Sequence, residues 1–273
     1  MSSVLTIKEV QALSLKILLD VHDFCVRNNI LYSLSGGTLI GAVREKGFLE
    51  WDDDVDIYML RPDYERFIHT YKSENYRVLS METDPDFCLP FSHVTDFTST
   101  QVVQLYLPYY RKPSGVKIDI FPIDSVSDDE SEFDDQFEKL MEIGKRAMYA
   151  RKAMHKFSFR KPLNWNIDLL KRKLRTGNGK EAFETAHQID ALAKQHEFGS
   201  TGSLGLMCLP YRRVRQRFSK EDFSHCVDVT FENHQLHIMN GYHNVLVAAF
   251  GPDYMTPPPV EARAQHHIIY GHK

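Results

Sequence analysis

This sequence has little of what marks several common protein classes. It has four cysteines in 273 residues, Cys25, Cys88, Cys208 and Cys226, and they are widely separated with no C-x-x-C pair. That excludes a disulfide framework or zinc ribbon as the organising device and predicts four reduced, buried thiols. No apolar run approaches membrane-spanning length. Residues 1–8 carry no apolar segment of the kind that begins a secretory signal. A net charge of −4 gives no global attraction to nucleic acid, and nucleic acid is not expected as a partner. Hydrophobic content of 42% and charged content of 26% are ordinary for a globular chain. The expectation is a soluble, cytoplasmic protein of one large domain or two small ones.

What is present is concentrated in residues 30–59. Ile30-Leu31-Tyr32-Ser33-Leu34 reads as a short strand. Ser35-Gly36-Gly37-Thr38 follows. Two glycines allow a tight turn and let main-chain N–H groups approach a ligand. Thr38 is the expected cap of a helix over 39–45, which Gly47 ends. A helix N-terminus behind such a turn favours an anion, and Arg44 adds a planar cationic fork suited to phosphate.

An acidic run comes next, Trp51-Asp52-Asp53-Asp54-Val55-Asp56. Residues 54–59 alternate, so they read as a strand with Asp54 and Asp56 on one face and Val55 and Ile57 on the other. Paired carboxylates repel unless a cation joins them, and hard oxygen donors suit Mg²⁺ or Mn²⁺. Asp52 can reach the same region. An acidic cluster alone is more often a solvated loop; an anion cradle beside it describes a phosphate–metal site.

Farther along, Thr6 and Glu9 form a capping box for a helix to about residue 27, closed by Asn28-Asn29. Arg61-Pro62-Asp63 starts another helix. Residues 76–80 and 91–96 read as strands, and 101–106 is expected to pair with the latter as a hairpin. Gly115-Val116-Lys117-Ile118-Asp119-Ile120-Phe121-Pro122-Ile123-Asp124 places Lys117 and Asp119 on one strand face and Ile118 and Ile120 on the other. Asp119 faces solvent on an edge, or strand pairing brings it beside Asp54 and Asp56. Asp124 reads as a loop residue. Ser127 and Glu130 suggest a second capping box. A basic middle follows from Lys145 to Arg175, interleaved with Trp165, Ile167 and several leucines. A solvated helical face is the plain reading. The sharper one is a surface for an anionic acceptor or anionic lipid headgroups, making peripheral membrane contact. Residues 211–218 form a second basic cluster. His234 and His237 lack a third ligand and are not read as a metal site. Residues 242–250 read as a short helix stopped by Gly251-Pro252.

The 35–44, 47–48 and 51–57 segments, Ile118-Asp119-Ile120-Phe121-Pro122-Ile123-Asp124, and Gly251-Pro252-Asp253-Tyr254-Met255 with its following prolines resemble the LicD family. That family includes phosphorylcholine transferases and relatives of fukutin and fukutin-related protein. The resemblance covers roughly the first half of the chain and a short C-terminal element. It implies an α+β, nucleotidyltransferase-like mixed sheet flanked by helices. The division that follows is a core over 1–125, a largely helical basic region over 126–240, and a segment over 241–273 that returns to the core. It implies Asp54, Asp56 and Asp119 as catalytic and metal-holding residues. Gly36, Gly37, Thr38, Arg44, Trp51, Asp52, His93, Arg263 and His266 are the expected substrate contacts. At His93 this sequence has histidine where a lysine or arginine is common in the family.

The activity implied is metal-dependent transfer of phosphocholine from CDP-choline to a sugar hydroxyl of a cell-surface glycan, lipid-linked or free, with release of CMP. The glycan is of teichoic acid, capsule or lipopolysaccharide type, and the site lies in the cytoplasm or at the inner face of the membrane. Choline recognition calls for aromatic faces, with Trp51, Tyr58, Tyr106, Tyr109 and Tyr110 available. Alternatives are transfer of ribitol phosphate, glycerol phosphate or phosphoethanolamine, a nucleotidyltransferase, or a non-catalytic nucleotide-binding protein. Retention of all three aspartates argues for activity.

Overall fold

A computed structural model describes residues 4–105, 107–159, 161–209, 216–263 and 268–273. Tyr106, Arg160, residues 211–215 of the second basic cluster and His266 lie outside them.

The chain opens with α1, Ile7–Arg27, capped by the Thr6–Glu9 box. Asn28 is its C-cap, and Asn29 takes the left-handed conformation at φ 51° that asparagine tolerates. Next come β1 (Ser33–Leu34), α2 (Gly36–Arg44), β2 (Asp56–Leu60) and α3 (Arg61–Thr70), the last with Pro62 in its first turn. Then follow β3 (Tyr76–Leu79), β4 (Ser92–Asp96), β5 (Thr100–Leu105) and β6 (Lys117–Val126). Three helices, α4 (Glu130–Lys152), α5 (Leu163–Arg175) and α6 (Lys180–Ala193), precede β7 (Ser203–Gly205), β8 (Arg217–Ser219), β9 (Cys226–Phe231) and β10 (His234–Met239). The chain closes with α7 (Tyr242–Phe250) and β11 (Ile268–His272).

The main sheet is mixed, in the order β1-β2-β6-β4-β3, with β7 joined to β6 and β8 to β7. The β2–β6 pair is parallel and the other pairs are antiparallel. β6 is the axis. Its first residues pair with β4, its middle with β2 and its last three with β7. This explains its composition: Ile118, Ile120, Ile123 and Val126 are fully buried. α1 and α3 pack against β6, and α4 packs on α6. The arrangement is the expected mixed α and β fold.

Several local expectations are corrected. β5 does not form a hairpin with β4; it pairs with β11 in a separate two-stranded ribbon. Within residues 126–240 the described elements after α6 are β7 to β10 and a 3₁₀ turn over Lys220–Phe223, and β7 and β8 extend the main sheet. The cap of α4 is Asp129, which accepts from Glu132 N–H, while the Ser127 hydroxyl donates to Glu132. Asp124 is no loop residue. It is buried in β6, where Arg61 holds it through Nε at 2.6 Å and Nη2 at 2.8 Å, and Arg61 Nη1 reaches Asp190 at 3.0 Å. Burial pushes Asp124 up despite the Arg61 charge. Of the cysteines, Cys25, Cys88 and Cys208 are buried thiols and Cys226 is half-buried; none is bonded to another.

Candidate active site

The acidic run closes over α2. Thr38 does not cap that helix, because the helix begins earlier, at Gly36, with Ser35 at the cap position making no side-chain cap. The Thr38 hydroxyl lies inside the first turn and accepts from the Asp56 N–H at 3.0 Å. The Ser35 N–H donates to the Asp56 carbonyl at 2.9 Å. These two bonds tie the start of β2 to the start of α2.

The two glycines make room for carboxylates. A methyl at Gly37 would stand 2.2 Å from Asp52 Oδ2, and one at Gly36 would stand 2.9 Å from Asp56 Oδ2. Gly36 also has φ +56°, which a side chain resists. The positive end of α2 thus supports the protein's own acids, which eases their crowding. Gly47 has a different role from the one expected. Lys46 takes the positive φ after α2, and Gly47 admits Glu232, whose Oε1 accepts from the Phe48 N–H at 3.0 Å.

β2 then delivers Asp56 directly opposite Asp119 of β6, as parallel register partners. The Asp119 N–H donates to the Val55 carbonyl at 2.8 Å. The expected strand over 54–59 begins only at Asp56, so Asp54 sits on the approach to it. Asp52, Asp53, Asp54, Asp56 and Asp119 all line one cavity of about 640 Å³. Gly37, Arg44, Trp51 and Lys117 share its wall, and the C-terminal part closes it with Phe250, Tyr254 and Tyr270.

Arg44 is half-buried, with Nε 2.7 Å from Glu45 Oε1 and Nη1 3.4 Å from the Tyr254 carbonyl. Its Nη2 has no hydrogen-bond partner among the described residues. The guanidinium groups of Arg44 and Arg263 lie 5.8 and 4.2 Å from the Trp51 ring centre. Trp51 therefore already carries cations of the chain itself. Of the other aromatic candidates, Tyr58 is bonded to Gln216, Tyr109 contacts Ser114 and Tyr110 binds Asp84, and these three do not line the cavity.

His93 does not line the cavity. It is buried in β4, with Nε2 3.1 Å from Asp119 Oδ1 and its ring packed among Phe87, Phe91 and Tyr109. Burial, helped by the Lys117 and Arg151 charges, holds its pKa well below the usual imidazole value. It is therefore neutral and donates from Nε2–H to Asp119. The cation at this place is Lys117, two residues from Asp119 on the same strand and bonded to it. Burial works against the Lys117 charge, but the Asp119 carboxylate overcomes that and raises its pKa above the ordinary lysine value. Lys117, Asp53, Tyr254 and Tyr270 were not among the residues expected at the site. Lys117 was legible from its i, i+2 spacing to Asp119; Tyr254 stood in the Gly251-Pro252-Asp253-Tyr254-Met255 element, while Tyr270 carries no local signal.

In kind, this donor set fits a hard divalent cation, since five carboxylates face one cavity. In spacing, no group of three or more acids, histidines or cysteines forms a ready metal cluster among the described residues.

The chain matches the family described as "LicD/FKTN/FKRP, nucleotidyltransferase domain" over residues 29–167, which includes Gly36, Asp56 and Asp119. It is 33% identical over 265 residues to the lipopolysaccharide cholinephosphotransferase LicD of Haemophilus influenzae, covering 97% of each chain. The chain belongs to the LicD family. Shorter matches link this LicD protein to uncharacterized proteins of Rickettsia typhi, at 38% over 76 residues, and Rickettsia prowazekii, at 44% over 54. These cover 26% and 19% of the chain and 25% and 20% of the two relatives.

Proposed function

We propose that this protein transfers phosphocholine from CDP-choline to a sugar hydroxyl of a lipopolysaccharide-type glycan and releases CMP. As a LicD-family member it is a phosphotransferase. The observation that carries the finer reading is the placement of Asp56 opposite Asp119 in a cavity that also holds Gly37 and Arg44.

In this reading the acceptor oxygen attacks the phosphorus that bears choline. The bond from that phosphorus to the bridging oxygen breaks, and CMP leaves with the electron pair. Arg44 and the first turn of α2 bind diphosphate oxygens. Asp52 or Asp119 receives the acceptor proton. Asp54, Asp56 and Asp119 would hold Mg²⁺ or Mn²⁺, which when bound offsets charge on the diphosphate and the departing CMP. Lys117 holds Asp119 in place, and Tyr254 and Tyr270 offer aromatic faces for the quaternary ammonium. A nucleotidyltransferase-like core and a cytoplasmic site belong to the same reading, and unpaired cysteines suit a reducing compartment.

One observation favours a second donor. The two guanidinium groups over Trp51 occupy one of the aromatic rings that line the acid cavity. A phospho-alcohol with hydroxyls, such as ribitol or glycerol phosphate, needs no such ring.

The test is CMP release from CDP-choline with Mg²⁺, with and without EDTA, in the presence of a lipopolysaccharide acceptor. Choline label on the glycan together with metal-dependent CMP release is the expected result. Label from CDP-ribitol or CDP-glycerol instead, with none from CDP-choline, would replace the donor. Nucleoside label on the product would replace the reaction.

A further inference from the structure

α5 is inverted for a helix at a protein surface. Its inward side carries one buried leucine, Leu169, and two cations turned toward the protein. The Arg172 guanidinium lies 4.5 Å from the Tyr149 ring centre of α4, and Lys173 Nζ donates to the Ala153 carbonyl at 2.6 Å. Its outward side is aliphatic. Leu163, Ile167, Leu170 and Leu174 follow spacings of four, three and four, which places them within about 60° of the helix circumference. They are 76%, 44%, 48% and 77% exposed. Just before the helix, Phe157 is 53% and Phe159 110% exposed. Single exposed leucines need no explanation, but a continuous stripe of four aliphatic side chains preceded in the chain by two exposed phenylalanines does.

The charge around the stripe is of one sign. Residues 152–175 hold eight lysines and arginines and one acid, Asp168, in a chain whose net charge is −4. Asp168 is paired with Arg172 at 2.6 Å, on the side away from the stripe. Lys171 and Arg175 lie together along one side of the stripe and are exposed.

We propose that α5, with Phe157 and Phe159, docks this protein on an anionic phospholipid surface. An aliphatic stripe flanked by lysine and arginine matches the boundary between acyl chains and anionic headgroups, with the long cationic side chains reaching outward. A second copy of the chain is a poor occupant, because two such basic faces would repel. No helix among the described residues is long and apolar enough to cross a membrane, so the contact is peripheral.

The fold connects this face to the acid cavity. A second cavity, about 620 Å³, lies beneath α5 and is lined by Lys156, Lys161 and Trp165 together with Val103 and Leu105 of β5. Leu105 is the register partner of Ile268 on β11, and Ile268 lines the acid cavity. One ribbon therefore borders both cavities, and a bilayer at α5 brings a lipid-carried acceptor to the ribbon side of the molecule.

The proposal needs neither donor nor metal, so it fails or stands apart from the transferase reading. The full chain is floated with vesicles of phosphatidylcholine alone and of phosphatidylcholine with phosphatidylglycerol, at low and high salt. The expected result is at least about tenfold more protein on the anionic vesicles, weakened by salt. The variants I167Q/L170Q/L174Q and K171E/R175E each lose that binding, while their thermal unfolding and CMP release without vesicles stay as in the parent chain. Exposed positions make both variants tolerable to the fold. Absence of binding to anionic vesicles by the parent chain overturns the proposal. So does binding that both variants retain. A parent dimer that either variant turns monomeric, without vesicle binding, assigns the stripe to a protein interface instead.

Discussion

Asp56 on β2 stands directly across from Asp119 on β6, in the one parallel pair of the main sheet among the described residues. Two acids 63 positions apart in the chain thereby become neighbours at the mouth of one cavity. If they act on a single charge, their loss is not additive. Asp56→Asn and Asp119→Asn are each expected to slow CMP release by about 10²–10³-fold. The double variant should be close to the worse single one. A double variant slowed by the product of the two effects would separate their roles.

Gly41 and Gly37 sit in the same helix but meet different neighbours. A methyl at Gly41 would stand 2.3 Å from the Gly47 carbonyl, which is main chain and cannot step aside. At Gly37 it would meet the end of the Asp52 side chain, which can. Gly41→Ala is expected to lower stability by about 1–3 kcal/mol. Gly37→Ala should leave the melting temperature close to that of the parent and raise KM for the donor. Thermal melts and steady-state kinetics on the two variants check this; a Gly37→Ala protein as unstable as Gly41→Ala would contradict it.

His93 is neutral and reaches Asp119 only through Nε2–H. It acts as a positioning residue, not a substrate contact. His93→Phe is expected to reduce kcat by about 10–100-fold with little change in KM. His93→Gln, which keeps an N–H donor, should recover part of the loss. A larger change in KM than in kcat would return His93 to substrate binding.

Arg61 bridges two acids, Asp124 and Asp190, well inside the protein. Removing it leaves both without their shared cation. Arg61→Ala is expected to cost about 3–5 kcal/mol in denaturant unfolding. Arg61→Met paired with Asp124→Leu should cost less, because an apolar replacement leaves fewer buried charges unmet.

Asp96 closes the β4 end of the sheet. Burial opposes its charge, but hydrogen bonds from Ser99, Thr98 and Thr100 more than offset that and hold its pKa below the ordinary carboxylate value. A depressed folded pKa gives stability that is present above the unfolded pKa and lost as pH falls through the folded one. Melting temperature should therefore fall between about pH 5 and pH 2, and Asp96→Asn should be less stable at neutral pH with a shallower fall.

The local chemistry of the site was legible in the sequence, and its assembly was not. The glycine pair, the acidic run and the Ile118-Asp119-Ile120 alternation are short-range patterns, set by backbone freedom and by which face of a strand a residue occupies. The Thr6 box, the Asn28 end of α1 and Pro62 in α3 are likewise decided within a few residues. What joined to what was decided by pairing. β5 took β11 rather than β4, because the ladder partner of a strand is chosen by the whole sheet and not by nearness in sequence. Asp124 gained its partner from α3, His93 came to Asp119 from the neighbouring β4, and Tyr254 and Tyr270 reached the cavity from the far end of the chain. The outward stripe of α5 follows the same rule. Its spacing is in the sequence, but the tertiary structure alone decides whether an aliphatic face meets the core or the solvent.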